Sequence, residues 1–174
     1  MAVNTEANLD LIKLENILTG LIRDRTQSDV NYALECERNG VYTQENLKGA
    51  YNISDRNRVG EAVNFIIDCL KNTGIYEAYV NIVKDGWNAF DIIVHEDNQK
   101  VLTSLENLKH ILPYNATQKV PDSLDSLTYQ KANIIEGIIY DLYGVFSRML
   151  DSYIYFGDGF VSDFDPFNWQ GFDN

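Results

Sequence analysis

The sequence predicts a mainly α-helical domain of four or five capped helices in serial helix–loop units, followed by a short C-terminal β-hairpin and an extended tail. Three observations predict this class. Apolar residues recur at helical spacing in several separate stretches. Residues that favour helix N-termini precede many of these stretches. The helical period then stops at Leu150. We therefore expect a helical domain over residues 1–152 and a hairpin with an acidic, aromatic tail over 153–174.

The first predicted helix lies in "NTEANLDLIKLENILTGLIR", where apolar residues from Leu9 to Ile22 follow helical spacing. The second lies in "RTQSDVNYALECERNG". Its Thr26 and Asp29 have the spacing of a capping box, and Gly40 is a natural stop. The stretch "YTQENLKGAY" predicts one or two further helical turns, capped by Thr43.

The next helix is predicted in "YNISDRNRVGEAVNFIIDCL", with Asn52 as its cap and Asp55 in its first turn. The stretch "IYEAYVNIVKDGWNAFDII" is ambiguous, because its Tyr and Val content favours either a strand or a short irregular run, with a turn at "DGWN". A further helix is predicted in "HEDNQKVLTSLENLKHIL", and Pro113 closes it.

The last predicted helix begins after the loop "PYNATQKVPDSLDS", with Thr128 as its cap. Its stretch, "YQKANIIEGIIYDLYGVFSRML", carries an apolar face wide enough for a central position. Beyond Ser152 the pattern changes, and Gly157 and Gly159 predict the turn of a small hairpin.

An asparagine recurs about five residues after each of four aligned segment starts, at Asn31, Asn57, Asn98 and Asn133. An amide side chain both donates and accepts hydrogen bonds, so each of these residues could tie its helix to a neighbouring loop. Chance recurrence of a common residue is the alternative interpretation.

The composition bears on the class of function. The formal net charge of −12 disfavours binding to nucleic-acid phosphates and suits a basic protein partner. No apolar run approaches the length of about 18 residues that marks a membrane span, and the N-terminus lacks a signal-peptide pattern. We therefore expect a chain made in a cytoplasm, with no membrane and no nucleic-acid partner. Cys36 and Cys69 are expected to be reduced, buried small residues.

No spacing of residues in this sequence predicts catalysis. His95 and His110 are the only histidines, and neither belongs to a zinc motif. The aspartates of "FGDGFVSDFD" lack the ligand spacing of a calcium loop. Neither a phosphate-binding glycine loop nor a nucleophile motif is present. We expect no enzyme activity, no metal and no cofactor.

Two regions are candidates for protein–protein contact. Arg56 and Arg58 flank Asn57, and they predict pairing either with carboxylates of the same chain or with those of a neighbouring subunit. The C-terminal region combines aromatic rings and aspartates without Lys or Arg, which predicts docking on a neighbouring subunit, with packing on its own core as the alternative. The aromatic candidates are Tyr153, Tyr155, Phe156, Phe160, Phe164, Phe167, Trp169 and Phe172.

Four stretches in order, "RTQSDV", "LKGAYNISDRNRVGEAVNFI", "VKDGWNAFDI" and "PDSLDSLTYQKANIIEGIIYDL", resemble a widespread family of small tail-region structural proteins of phages and prophages of Gram-positive bacteria. The resemblance covers roughly residues 24–160. The chain departs from the family in two places: "KDGW" replaces the usual Lys-Thr-Asp-Trp turn, and the C-terminal end is longer and more aromatic. The matching residues are Lys48 to Asn52, Asp55, Asn57 to Val59, Trp87, Leu127 to Tyr129, Ala132, Asn133, Ile135 and Glu136.

The resemblance implies a non-enzymatic virion structural protein of a phage tail, at the baseplate or tail fibres. Its partners would then be other virion structural proteins, and we expect a homo-oligomer within the virion. Two alternatives remain at this point. One is a neck- or capsid-associated virion protein, and the other is an acidic regulatory protein that mimics nucleic acid or sequesters a basic partner.

Overall fold

The computed structural model describes residues 15–16, 18–41, 47–72, 83–111 and 118–155. Within these ranges the chain forms four α-helices and no strand, which confirms the mainly helical prediction. The predicted turns around Thr43 and the predicted C-terminal hairpin lie outside the described residues. The helices are α1 (Gln27–Arg38), α2 (Ile53–Asn72), α3 (His95–Ile111) and α4 (Tyr129–Tyr155).

Helices α2, α3 and α4 contact one another around a single apolar core. The stripe predicted in α2 is buried throughout, and the wide apolar face of α4 is central, as its sequence indicated. Burial of such side chains is the main favourable term in folding, about 25 cal/mol per Å² of apolar surface. The largest fully buried residues are Ile66, Ile67, Leu70, Leu105, Leu108, Ile135, Ile138, Ile139, Leu142 and Phe146.

Helix α1 begins and ends as its sequence predicts. The Thr26 side chain accepts from the Asp29 backbone, while the Asp29 carboxylate accepts from the Thr26 backbone at 2.7 Å, so the capping box is complete. At the other end, Gly40 has a φ of 64°. The Val41 N–H donates to the Cys36 carbonyl and the Gly40 N–H donates to the Glu37 carbonyl, which is a Schellman ending.

Helix α2 also begins at its predicted cap. The Asn52 side chain accepts from the Ser54 and Asp55 backbone amides at 2.9 and 3.2 Å, and Asp55 accepts from the Asn52 N–H at 2.8 Å. Just before it, the chain passes very close to the start of α1. A Cβ on Gly49 would lie 2.0 Å from the Asp29 carbonyl oxygen, so only glycine allows this approach.

The chain between Gly20 and Thr26 is not helical, contrary to the prediction that places Leu21 and Ile22 inside the first helix. The backbone of this segment instead bonds to α4. The Ile22 N–H donates to the Glu136 carboxylate. The Arg25 N–H donates to the Asn133 side-chain oxygen, and the Arg25 carbonyl accepts from the Asn133 side-chain nitrogen. These tertiary bonds replace the ones that a continued helix would have made. Residues 18–19 are helical, and Gly20 directly after them disfavours continuing the helix.

Helix α4 is longer than its sequence period indicated. It continues through Tyr155, so the predicted end at Leu150 is wrong by more than one turn. The residues from Asp151 to Tyr155 contain neither proline nor glycine, and their helix propensities are unfavourable by only a few tenths of a kcal/mol each. The loss of the apolar period at Leu150 therefore did not mark the end of the backbone helix.

Candidate interaction surface

Four charged side chains from three segments form a buried ion cluster, which consists of Arg25, Asp55, Arg58 and Glu136. Arg25 lies 3.1 Å from Asp55 and 2.7 Å from Glu136, and all three side chains are about 1% exposed or less. Arg58 pairs with Asp55 and lies 3.7 Å from Glu136. Two arginines face two carboxylates, so the cluster carries no net charge when all four are ionised. A buried pair of this kind is costly to break, because the remaining charge loses its partner.

Burial shifts the protonation of groups in and beside this cluster. Removal from water raises the pKa of Glu136, and the Ile22 N–H and the guanidinium of Arg25 oppose that shift. Burial also raises the pKa of Tyr51, whose ring lies 5.5 Å from the Arg25 guanidinium carbon. The site therefore penalises charge that lacks a counter-ion, which suits a structural junction between helices.

Three asparagines bind the chain by the same arrangement, which we call an amide bridge. In each, the side-chain oxygen accepts from the N–H of one residue and the side-chain nitrogen donates to the carbonyl of that same residue. Asn57 bridges to Trp87 with distances of 2.7 and 3.0 Å. Asn133 bridges to Arg25 with 3.0 and 2.9 Å. Asn64 bridges to Val83 with 2.9 and 2.8 Å.

The other recurring asparagines have different environments. Asn31 is exposed and accepts a hydrogen bond from Gln27 on its own helix. Asn98 is buried in α3 and accepts from the Arg56 guanidinium. The amide bridge thus holds for Asn57 and Asn133, and Asn64 forms one that the recurrence at helix starts did not include.

The segment that carries Trp87 is held at several points. The indole N–H donates to the Lys84 carbonyl at 2.9 Å, and the Lys84 ammonium lies 4.1 Å from the ring centroid. The Arg56 guanidinium carbon lies 5.0 Å from the same ring. On the α2 side, a Cβ on Gly60 would lie 2.7 Å from the Lys84 carbonyl oxygen, so this helix and segment are in direct backbone contact. Trp87 itself is buried.

Directly after this anchor, the chain exposes an apolar loop, residues 90–94. Phe90 is 94% exposed and Ile92 is 83% exposed, and Ile93 and Val94 are also exposed. A tight turn precedes them, in which the Asn88 N–H donates to the Asp91 carboxylate at 2.9 Å and the Phe90 N–H donates to the Asn88 side chain at 3.0 Å. A cluster of exposed apolar residues on an anchored backbone is typical of a protein contact site.

Carboxylates border the apolar loop. Asp91 lies within it and pairs with Lys84 at 2.9 Å. Glu96 and Asp97 occupy the first turn of α3, and Asp125 pairs with His95 at 2.8 Å. Hydrogen bonds from Asn88 and Lys84 lower the pKa of Asp91, and the bond to His95 lowers the pKa of Asp125. Asp91 and Asp125 are therefore ionised at neutral pH.

The interaction candidates predicted from the sequence lie away from the apolar loop or outside the described residues, except that Arg56 contacts the Trp87 ring. Arg56 contacts Asn98 and Trp87, and Arg58 contacts Asp55 and Glu136, so both guanidiniums bind groups of their own chain. Tyr153 and Tyr155 belong to α4, so the boundary drawn at residue 153 falls inside a helix. The remaining tail candidates lie outside the described residues: Phe156, Phe160, Phe164, Phe167, Trp169 and Phe172.

Three features of this surface and of the buried contacts behind it were not predicted from the sequence. Arg25 opens the stretch "RTQSDV" of the resemblance, but no local pattern indicated its burial, which depends on contacts with residues 30 and 111 positions later. The apolar loop gave a weak signal, since "DIIV" places three β-branched residues directly before a helix N-terminus. Asn64 could have been found, because asparagine inside an apolar helical stripe is unfavourable unless its amide is bonded.

None of the helices in the described ranges combines the length and hydropathy that a bilayer span requires. In the same part of the chain, no three His, Cys, Asp or Glu side chains are grouped so that they could hold a metal ion. Cys36 and Cys69 are both free thiols, the first buried and the second partly buried against the core. No protein-family model, no curated protein and no solved structure matches this chain.

Proposed function

We propose that this chain is a non-enzymatic structural subunit of a phage or phage-derived tail, at the baseplate or tail fibres, and that it acts through protein–protein contacts. The observation that carries the proposal is the apolar loop, where Phe90 and Ile92 project into solvent from a segment that Trp87 anchors. Exposed apolar side chains contribute favourable free energy only when a partner removes their surface from water.

The positions of the resemblance motifs support the same conclusion. Asp55, Arg58 and Glu136 belong to the buried ion cluster, and Asn57 and Asn133 form amide bridges. Gly49 provides the close approach to α1. These motif residues hold helices and loops together.

The proposal is tested by following the protein in a strain that produces the particle from its own gene cluster. The chain, detected by mass spectrometry, should sediment with gradient-purified particles in a fixed ratio to the other tail proteins. Electron microscopy with a label on the chain should place it at the tail end.

Three other results are informative. Label at the neck or head would replace the tail position with the neck or capsid alternative. A chain that stays at the top of the gradient, bound to one basic protein, would support the regulatory alternative instead. A chain that stays there alone would refute a virion role.

A further inference from the structure

The apolar loop has a fixed backbone, which makes it suited to binding. At its start, Trp87 is held by the amide bridge from Asn57, and the Asp91 N–H donates to the Asn88 carbonyl at 3.1 Å. At its end, the Val94 carbonyl accepts from the Asp97 N–H at 3.2 Å, as the first turn of α3 begins. Because both ends are fixed, covering the loop costs little backbone entropy.

The side chains of the apolar loop and of its border indicate which kind of partner surface would be complementary to them. Phe90 and Ile92 require an apolar pocket, since they are 94% and 83% exposed. Asp91 lies between them in the chain, Glu96 follows the loop in the first turn of α3, and Asp125 pairs with His95, the residue directly after the loop. Each of these carboxylates is paired with a solvent-accessible side chain that a partner could compete with or supplement. A complementary surface therefore places cations around an apolar centre, as interfaces with a buried core and a polar rim do.

Two binding partners that this protein itself could supply, its C-terminal tail and a second copy, do not match the charge around the apolar loop. The C-terminal tail contains aromatic rings, but residues 151–174 include five aspartates and no Lys or Arg, so it would bring like charge to the acidic border. A second copy meeting this loop across a two-fold axis would oppose each acidic border with itself. Like charges placed together across an interface cost binding energy.

We infer that the apolar loop, residues 90–94, docks into an apolar pocket of a different protein whose rim carries lysine and arginine side chains. The inference rests on the proposed function for its setting, and it adds the surface and the chemistry of the partner. Phe90 and Ile92 fill the pocket, and Glu96 and Asp125 face the basic rim.

The test is photo-crosslinking of the full-length chain in intact producing cells, so that contacts are captured whether or not particles form. Phe90→p-benzoylphenylalanine supplies the probe, and Leu34→p-benzoylphenylalanine, at an exposed position on α1, is the matched control. The expected result is a crosslink from position 90, absent from position 34, to an apolar segment of another protein with Lys or Arg beside it.

Charge is tested in the same cells by adding a second substitution to the crosslinking variant. Glu96→Lys should lower the crosslink yield, whereas Glu35→Lys, at an exposed position on α1, should leave it unchanged. In the otherwise native chain, Phe90→Ser with Ile92→Ser should weaken binding to the identified partner about tenfold or more, the scale of losing a hot-spot pair. Helicity and melting temperature should stay near those of the native chain.

Several outcomes would overturn the inference. Crosslinks to residues 156–174 would assign the loop to the chain's own tail, and crosslinks to position 90 of a second copy would assign it to self-association. A partner segment without basic residues, an unchanged yield with Glu96→Lys, or no crosslink above the Leu34 control would each reject it. Co-sedimentation with particles is scored separately, so the proposed function and this surface can fail independently.

Discussion

The side chain of Asn57 binds both backbone groups of Trp87, accepting from its N–H at 2.7 Å and donating to its carbonyl at 3.0 Å. The two residues are 30 positions apart, and the bridge fixes the segment before α3 against α2. The apolar loop starts at Phe90, only three residues beyond Trp87. A bridge in the interior thus determines where an exposed apolar loop is presented.

Removing the Asn57 amide should destabilise the protein measurably. Asn57→Ala leaves an N–H and a carbonyl of the buried residue Trp87 without partners, which should lower the free energy of unfolding by about 1–3 kcal/mol. Asn31→Ala is the matched control, because Asn31 is also helical but exposed, and it should change stability by less than about 0.5 kcal/mol. Urea denaturation followed by circular dichroism measures both. Equal effects would mean that the bridge contributes nothing.

Adding one methyl group should have opposite effects at two glycines. Gly49→Ala forces a Cβ against the Asp29 carbonyl and should cost about 1–3 kcal/mol, because backbone must move. Gly144→Ala lies in α4, and apart from the nearby backbone of that helix and the two adjacent residues no atom lies within 4 Å of the new methyl, so it should stabilise the helix by about 0.5–1 kcal/mol. Thermal unfolding of the two variants distinguishes them by sign. Stabilisation by both would show that α1 and Gly49 do not approach as described.

Two arginines that are two residues apart should differ greatly in their contribution to stability. Arg25→Ala removes the cation between Asp55 and Glu136 and should cost about 3–5 kcal/mol, as expected when a buried pair loses one partner. Arg23 is exposed and lies 3.6 Å from the Tyr140 ring centroid, so Arg23→Ala should cost about 0.5–1 kcal/mol. Denaturant unfolding at neutral pH compares them. A loss below about 1 kcal/mol for Arg25→Ala would contradict a stabilising ion cluster.

Glu136 should make stability depend on pH in a defined direction. Burial raises its folded-state pKa above the ordinary 4.5, so its favourable contribution is complete below that value and is lost as pH rises through the raised pKa. The unfolding free energy of the native chain, relative to Glu136→Gln, should therefore fall as pH rises above the ordinary pKa of 4.5.

The control for this titration has the opposite sign. Lys119 lowers the pKa of the exposed Asp122 below 3.8, so its contribution is present above that pH and is lost as pH falls. Asp122→Asn should therefore change the pH dependence only at the acid end. A constant difference between the native chain and Glu136→Gln across the range would show that burial does not raise the pKa of Glu136.

Local signals in the sequence identified the helices and their starts. Thr26 with Asp29, Asn52 and Thr128 all cap helices through bonds to backbone amides three residues or fewer away. Gly40 ends α1 with a positive φ, as a glycine at that position predicts. These features depend on spacing along the chain, so they can be read without knowing the fold.

The same sequence did not reveal which asparagines would form bridges. Asn31, Asn57 and Asn133 look alike beside their helix starts, yet the first is exposed and the other two bind segments 30 and 108 residues away. An amide bridge needs an extended backbone at hydrogen-bond distance, and only the packing of the helices brings one there. The recurrence identified a set of candidates, but it could not select among them.

The sequence by itself determined that the described part of the chain is mainly helical, where α1, α2 and α4 begin, and which of their apolar faces are buried, because caps and helical periodicity act within a few residues. Only the tertiary structure decided that Arg25, Asp55 and Glu136 would meet in the interior and that Phe90 and Ile92 would remain outside it. The physical reason is that burial and pairing of charges are properties of the whole packing. A side chain's environment is set by segments far along the chain, and no local pattern encodes how those segments come together.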